Sequence, residues 1–170
     1  MSGFHCSCCG RRHEEPPFSY GVPAPAYWHE DLEGRPDSIL GEEQCVIGGE
    51  HFFVRARLVL PVLDADDEFD WGVWVSLNKT SFVRVTELWA NSERVHEPPY
   101  FGWLATELPL YMPTTLNLKT HVHSQAVGVR PTIELEPTDH PLAVEQRTGI
   151  TVAHVQAIAE QLLHPGPHRG

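Results

Sequence analysis

"HFFVRARLVLPVLD", residues 51–64, decides how the rest of the chain is read. Phe52, Val54, Ala56, Leu58, Leu60 and Val62 fall on one side of an extended chain, with Phe53, Arg55, Arg57 and Val59 on the other. A period of two marks a strand, because successive side chains leave a pleated backbone on opposite faces. One face is dry and the other carries charge, so this strand belongs to a sheet with a core on one side.

Working outward, "FDWGVWVSLN" (69–78) alternates again. Phe69, Trp71, Val73, Val75 and Leu77 take the core side, and Trp74 is left facing outward beside Ser76. The acidic "DADDEFD" (64–70) reads as the loop before this strand. "NKTS" (78–81) reads as a short connection into a further strand, "FVRVTELW" (82–89), giving a hairpin that points Arg84 outward. Later strands are expected in "LNLKTHVHSQ" (116–125) and "RPTIELE" (130–136), after the proline-bounded aromatic stretch "EPPYFGWLATELPLYMPTT" (97–115). Short connections between so many strands favour a mostly antiparallel sheet.

The character changes at both ends. Residues 11–43 are polar and proline-studded without a sustained period, which predicts an irregular arm with a short helix near 28–32. After residue 137, Thr138 or Asp139 can cap a helix that has Pro141 in its first turn and Gly149 at its end. Thr151 can cap a second helix, striped by Val152, Val155, Ile158, Ala159 and Leu162. The expected fold is α+β, one domain over 1–164: an arm (1–45), a mostly antiparallel sheet (46–136) and two C-terminal helices (137–164), followed by a frayed tail (165–170).

The 170 residues carry 12 Lys and Arg against 23 Asp and Glu, a formal charge of −11. Such a chain is repelled by double-stranded nucleic acid and by anionic membrane. No apolar run approaches the roughly 18 residues of a membrane helix, and Met1–Gly10 lacks the basic and apolar regions of a signal peptide, so a cytoplasmic protein is expected.

In a reducing compartment a cysteine cluster favours metal over disulfide. "FHCSCCGRRH" (4–13) has the shape of a zinc knuckle: Cys6 and Cys9 stand three residues apart, and Gly10 permits the turn that aims N–H groups at sulfur. With His13 and Cys45 as further ligands, a closed structural zinc site is expected to pin the arm to the sheet. Cys8 competes with Cys9 for the second place. Buried free thiols and a disulfide are the alternatives.

The order "CGxxH", "QCVIGGEHFFVRARLVLPV", "FDWGVWVSL", "PPYFGWLATELPLY", "LNLKTHVH" and "RPTIELEPTDHPLAVEQRTGI" resembles the bacterial family known as domain of unknown function 2199. The resemblance runs from about Phe4 to about Leu163. It implies a kinship and no activity. Family members also carry an N-terminal cysteine and histidine cluster, which agrees with a zinc site.

The outward sides of the predicted strands gather Arg55, Arg57, Arg84 and Lys119 with Trp74, His121 and His123. Arginine forks suit carboxylate or phosphate, and an exposed Trp offers a stacking surface. A binding module for an anionic small molecule or for a protein partner is therefore expected, unless the arm or the helices cover this face and pair with it. His121-x-His123 places two imidazoles on one side of a strand, so a metal-dependent enzyme is the alternative, with His140 or Asp139 nearby. A third reading, an acidic protein that neutralises a basic partner, rests on net charge alone. The last two helices lack the basic residues of a major-groove reader, and no P-loop, dinucleotide fingerprint, nucleophile elbow or HExxH is present.

Overall fold

The computed structural model describes residues 17–163 and, ahead of them, the backbone of two short paired strands. In chain order the elements are β1 (Phe4–His5), β2 (Arg12–His13), β3 (Ser19–Gly21), β4 (Ile39–Leu40), β5 (Gln44–Ile47), β6 (His51–Leu60), β7 (Phe69–Leu77), α1 (Lys79–Glu87), β8 (Tyr100–Leu104), β9 (Lys119–His123), β10 (Thr132–Leu135), α2 (Pro141–Thr148) and α3 (Val152–Leu163).

The two strands read first from sequence form the spine. β6 and β7 pair antiparallel from Phe52 opposite Leu77 to Leu60 opposite Phe69. Each is long enough to serve two neighbours on its far edge. β6 pairs with β5 at its start and with β10 at Arg57–Leu58, while β7 pairs with β3 at Asp70–Gly72 and with β8 at Val75–Leu77. The path β7, β8, β9, β10 and back to β6 closes a barrel whose joints are antiparallel except the parallel β6–β10 join. Where β8 crosses β7 the backbones approach so closely that a Cβ on Gly102 would lie 2.7 Å from the Ser76 carbonyl oxygen. Only glycine fits there.

Inside the barrel the period-two reading holds throughout: Val54, Ala56, Leu58 and Leu60 of β6 and Phe69, Trp71, Val73, Val75 and Leu77 of β7 are all buried. Each such side chain contributes on the order of 1.5–3 kcal/mol by leaving water. Leu142, Ala143, Val155 and Ile158 from α2 and α3 complete the same core. A polar chain fastens the helices to it. The Trp71 indole donates to the Tyr111 hydroxyl (3.1 Å), which donates to Glu145 of α2 (2.6 Å), whose other oxygen meets His154 of α3 (3.1 Å).

Three expectations change. The stretch 82–89 is not a strand. The Asn78 side chain accepts the Ser81 N–H at 2.7 Å and starts α1, whose Phe82 and Val85, three residues apart, pack on the barrel. A good N-cap and a helical apolar pair outweigh the β-branched composition. The true hairpin is β6–β7, turned through the acidic loop. Trp74 does face the outer side of β7, but it is fully buried rather than open. With Cys45, Phe53 and Ala105 it forms a second small core, roofed by Val22, Trp28 and Leu40 of the arm and by Ile47 of β5. Alternation tells which side a residue takes and is silent on whether that side is covered.

At the C-terminal end, α2 is capped by His140, whose Nδ1 accepts the Leu142 N–H at 3.0 Å, rather than by Thr138 or Asp139. Pro141 opens the helix, Gly149 (φ 85°) ends it, and the Thr151 hydroxyl accepts the His154 N–H at 3.2 Å to start α3. The arm has its short turn of 3-10 helix at Glu30–Leu32. Among the described residues no helix is long and apolar enough to cross a membrane. The predicted tail, 165–170, lies outside the described residues.

Candidate functional site

At the wall of the barrel a cavity of about 560 Å³ is lined by β6, β9, α1 with the turn after it, and the loop over 124–131, and takes in the core residues Val54 and Val122. Four arginines line it: Arg55, Arg57, Arg94 and Arg130. Val85, Leu88, Trp89 and Val129 supply apolar wall. The arginines differ in what they are already bound to.

Arg57 is spent. Its Nε and Nη2 both donate to Asp70 Oδ2, at 3.0 and 2.8 Å, and Asp70 also accepts from the Ser19 hydroxyl at 2.6 Å. Arg130 forks onto both oxygens of Glu43, with two contacts of 2.8 Å, and straps the 124–131 loop to the approach of β5. That carboxylate raises the guanidinium's pKa further.

Arg94, only 9% exposed, sits in the 3-10 turn Ser92–His96. It donates to the carbonyls of Gln125 (2.7 Å), Trp89 (2.9 Å), Ala126 (2.9 Å) and Val129 (3.0 Å), and its guanidinium lies 5.7 Å from the Trp89 ring centre. These bonds fold the loop around it, yet among the described residues no carboxylate balances its charge.

Arg55, like Arg57 and Arg130, uses two nitrogens as donors, but it has no carboxylate partner among the described residues. Nη1 donates to the Glu42 carbonyl at 3.2 Å and Nη2 to the Val22 carbonyl at 3.0 Å, and the guanidinium lies 5.6 Å from the Trp74 ring centre. Its Nε is buried and has no partner. A guanidinium offers five N–H donors; with two used, three remain among the described residues. A charge removed from water without a counter-ion costs folding free energy. Among the described residues two arginines without a carboxylate partner line this one cavity: Arg94, which is buried, and Arg55, which is half-buried.

The other predicted site residues lie elsewhere. Trp74 supports Arg55 from within the second core and offers no open face. Arg84 belongs to α1 and forks onto Glu97 at 2.9 and 3.0 Å, where the Tyr100 hydroxyl also donates at 2.6 Å. Arg84 first, then Tyr100, hold the Glu97 carboxyl down to about 2. Lys119 is exposed on β9. His121 and His123 each meet a carboxylate, Glu136 at 3.2 Å and Glu134 at 3.4 Å, and neither they nor Lys119 line the cavity. Among the described residues no three His, Cys, Asp or Glu side chains are grouped to hold a metal.

Of the expected zinc ligands, Cys6 and Cys9, with the competing Cys8, lie outside the described residues, as does the side chain of His13. Cys45 is fully buried beside Phe53 and Trp74, and that burial pushes its thiol up to about 11. It packs here as a small apolar side chain.

Sequence reasoning missed Arg94, Arg130 and Trp89. Arg94 sits in a segment without a period, while Trp89 and Arg130 stand at the very ends of predicted strands, where a face is least readable. The only available signal was scarcity: with 12 basic residues in the chain, each cation outside a strand merited a partner.

A family model described as an uncharacterized protein conserved in bacteria, DUF2199, matches residues 5–150. The chain belongs to this family. The DUF2199 match takes in the whole barrel and every residue lining the cavity, and stops before α3. Neither the curated proteins nor the solved structures contain a match to the chain.

Proposed function

We propose that this DUF2199 protein is a binding module that takes a small anionic molecule into the Arg55 cavity. One observation carries the reading: Arg55 keeps three donors free, one of them a buried Nε, at a cavity whose other unbalanced cation, Arg94, is fixed in place by four carbonyls. Arg57 and Arg130 are tied to Asp70 and Glu43 and shape the walls. An anion entering the cavity would gain charge-assisted hydrogen bonds at little cost in reorganisation, because its surroundings are already held.

Thermal unfolding tests this. A ligand that binds only the folded state raises Tm with its concentration. Inorganic phosphate, acetate and hexanoate at matched ionic strength, set against chloride, are expected to include at least one anion that raises the Tm of the wild type and not that of Arg55→Met. A shift of equal size in both proteins contradicts the proposal, as does the absence of any shift.

The zinc knuckle is a separate reading, favoured by the backbone pairing of Phe4 with His13, which lays His13 alongside the chain two residues before Cys6. Its function would be structural. Elemental analysis of untagged protein is expected to give one zinc per chain that is lost in Cys6→Ser; metal-free wild type contradicts it.

A further inference from the structure

The anion site has a second half that a bare ion would not use. Besides the arginines the cavity is lined by Val85, Leu88, Val129 and Trp89, and by Val54 and Val122 of the barrel core. The apolar character continues onto the surface, where Trp89 is 42% exposed and Val127 and Val129 are each 47% exposed. The volume falls within the about 300–1,000 Å³ typical of sites for whole organic molecules, far more than a phosphate or acetate ion fills.

Arg57 and Arg130 bring their own carboxylates, so among the described residues the surplus cations are Arg55 and Arg94, and only Arg55 has several donors to give. We infer that the ligand is an amphiphile with a single carboxylate head and an unbranched aliphatic body of medium length: the head meets Arg55, and the chain lies along Val85 and Leu88 and leaves past Trp89 and Val129. Five of the six apolar side chains named are aliphatic, a surface that packs against methylenes without demanding a planar partner. The inference rests on the proposed anion site and specifies what that site takes.

The test is calorimetric titration of the wild-type protein with acetate, butyrate, hexanoate, octanoate and decanoate below their micelle concentrations, and with octanol. Each added methylene is expected to tighten binding by about two- to fourfold, the value for burying a CH₂ group. Octanol is expected to bind at least tenfold more weakly than octanoate. Arg55→Met should weaken every acid by a common factor, while Leu88→Gln, on the rim of a short helix end, should flatten the chain-length series and leave acetate unchanged. Affinity that does not depend on chain length overturns the aliphatic body yet leaves the anion site standing. Octanol matching octanoate overturns the carboxylate head, and acids that bind Arg55→Met as tightly as the wild type overturn the anion site itself.

Discussion

The two sides of the β6–β7 ribbon are built to different rules. On the inner side every residue from Val54 to Leu60 and from Phe69 to Leu77 that points inward is apolar and buried, and the lone polar chain, Trp71 to Tyr111 to Glu145, is hydrogen-bonded at each step. On the outer side a sealed patch around Trp74 and Cys45 gives way, within one strand, to a cavity holding cations that lack counter-ions. Even neighbours on that side diverge: Arg57 is locked to Asp70, whereas Arg55, two residues earlier, has only two carbonyls. The inner side is uniformly apolar, and the outer side divides between a second core and a cavity lined by arginines.

Three substitutions sharpen or break that contrast, in falling order of expected effect. Trp74→Ala should cost about 3–5 kcal/mol in urea unfolding, as for any large aromatic removed from a closed core. A cost below about 1 kcal/mol would mean that the arm does not seal this patch. Arg94→Met should cost about 2–3 kcal/mol, because four carbonyls lose their donor together and the 124–131 loop loses its organiser. Arg55→Met should move stability by less than about 1 kcal/mol in either direction, since it removes an unbalanced charge along with two hydrogen bonds. If Arg55→Met and Arg94→Met prove equally costly, Arg55 is a strut like Arg94, and the distinction drawn between them fails.

Cys45 adds a dependence on pH. Its thiol is raised to about 11 by burial, against about 8.5 in an unfolded chain. A group whose folded pKa lies above its unfolded value contributes fully below the unfolded value, and the contribution is lost as pH rises toward the folded one. Wild-type stability should therefore fall from about pH 8.5 upward, and Cys45→Ala should lose most of the slope between about pH 8.5 and 10, before tyrosines ionise. An unchanged slope would place Cys45 in contact with water or with a cation. Glu97 acts in the opposite sense at acid pH: its folded pKa of about 2 lies below the unfolded value, so its contribution is present above about pH 4.3 and is lost as pH falls toward 2. Glu97→Gln should shallow that acid limb only slightly, because its partner Arg84 is half exposed.

The sheet was legible because its two spine strands alternate without interruption, and a slip of one residue would have turned Arg55 and Arg57 into the core; its closure into a barrel through the parallel β6–β10 join was not. The C-terminal helices were legible from Pro141, Gly149 and Thr151. α1 was not, because Val83 and Val85 mimic alternation and the deciding feature is one side chain, Asn78, acting as a cap. The site was half legible. Strand period placed Arg55 and Arg57 on the outer face, but Arg94 and Arg130 reach the cavity from turns whose direction is set by tertiary contacts, and the roof over Trp74 is supplied by an arm with no period at all. His121 and His123 show the reverse error: a correct common face, occupied by carboxylates from β10 and the residue just after it.

Arg55 lacks a carboxylate partner among the described residues, and Arg57 is held by Asp70. The most direct measurement is a proton–nitrogen NMR titration of the arginine Nε–H resonances with octanoate, assigned through Arg55→Met and Arg57→Met. The predicted result is a saturating downfield shift of the Arg55 Nε–H, as its unpartnered hydrogen gains an acceptor, with the Arg57 Nε–H, already bonded to Asp70, barely moving. Octanoate binding that leaves Arg55 unmoved, or that shifts both arginines alike, would contradict the account.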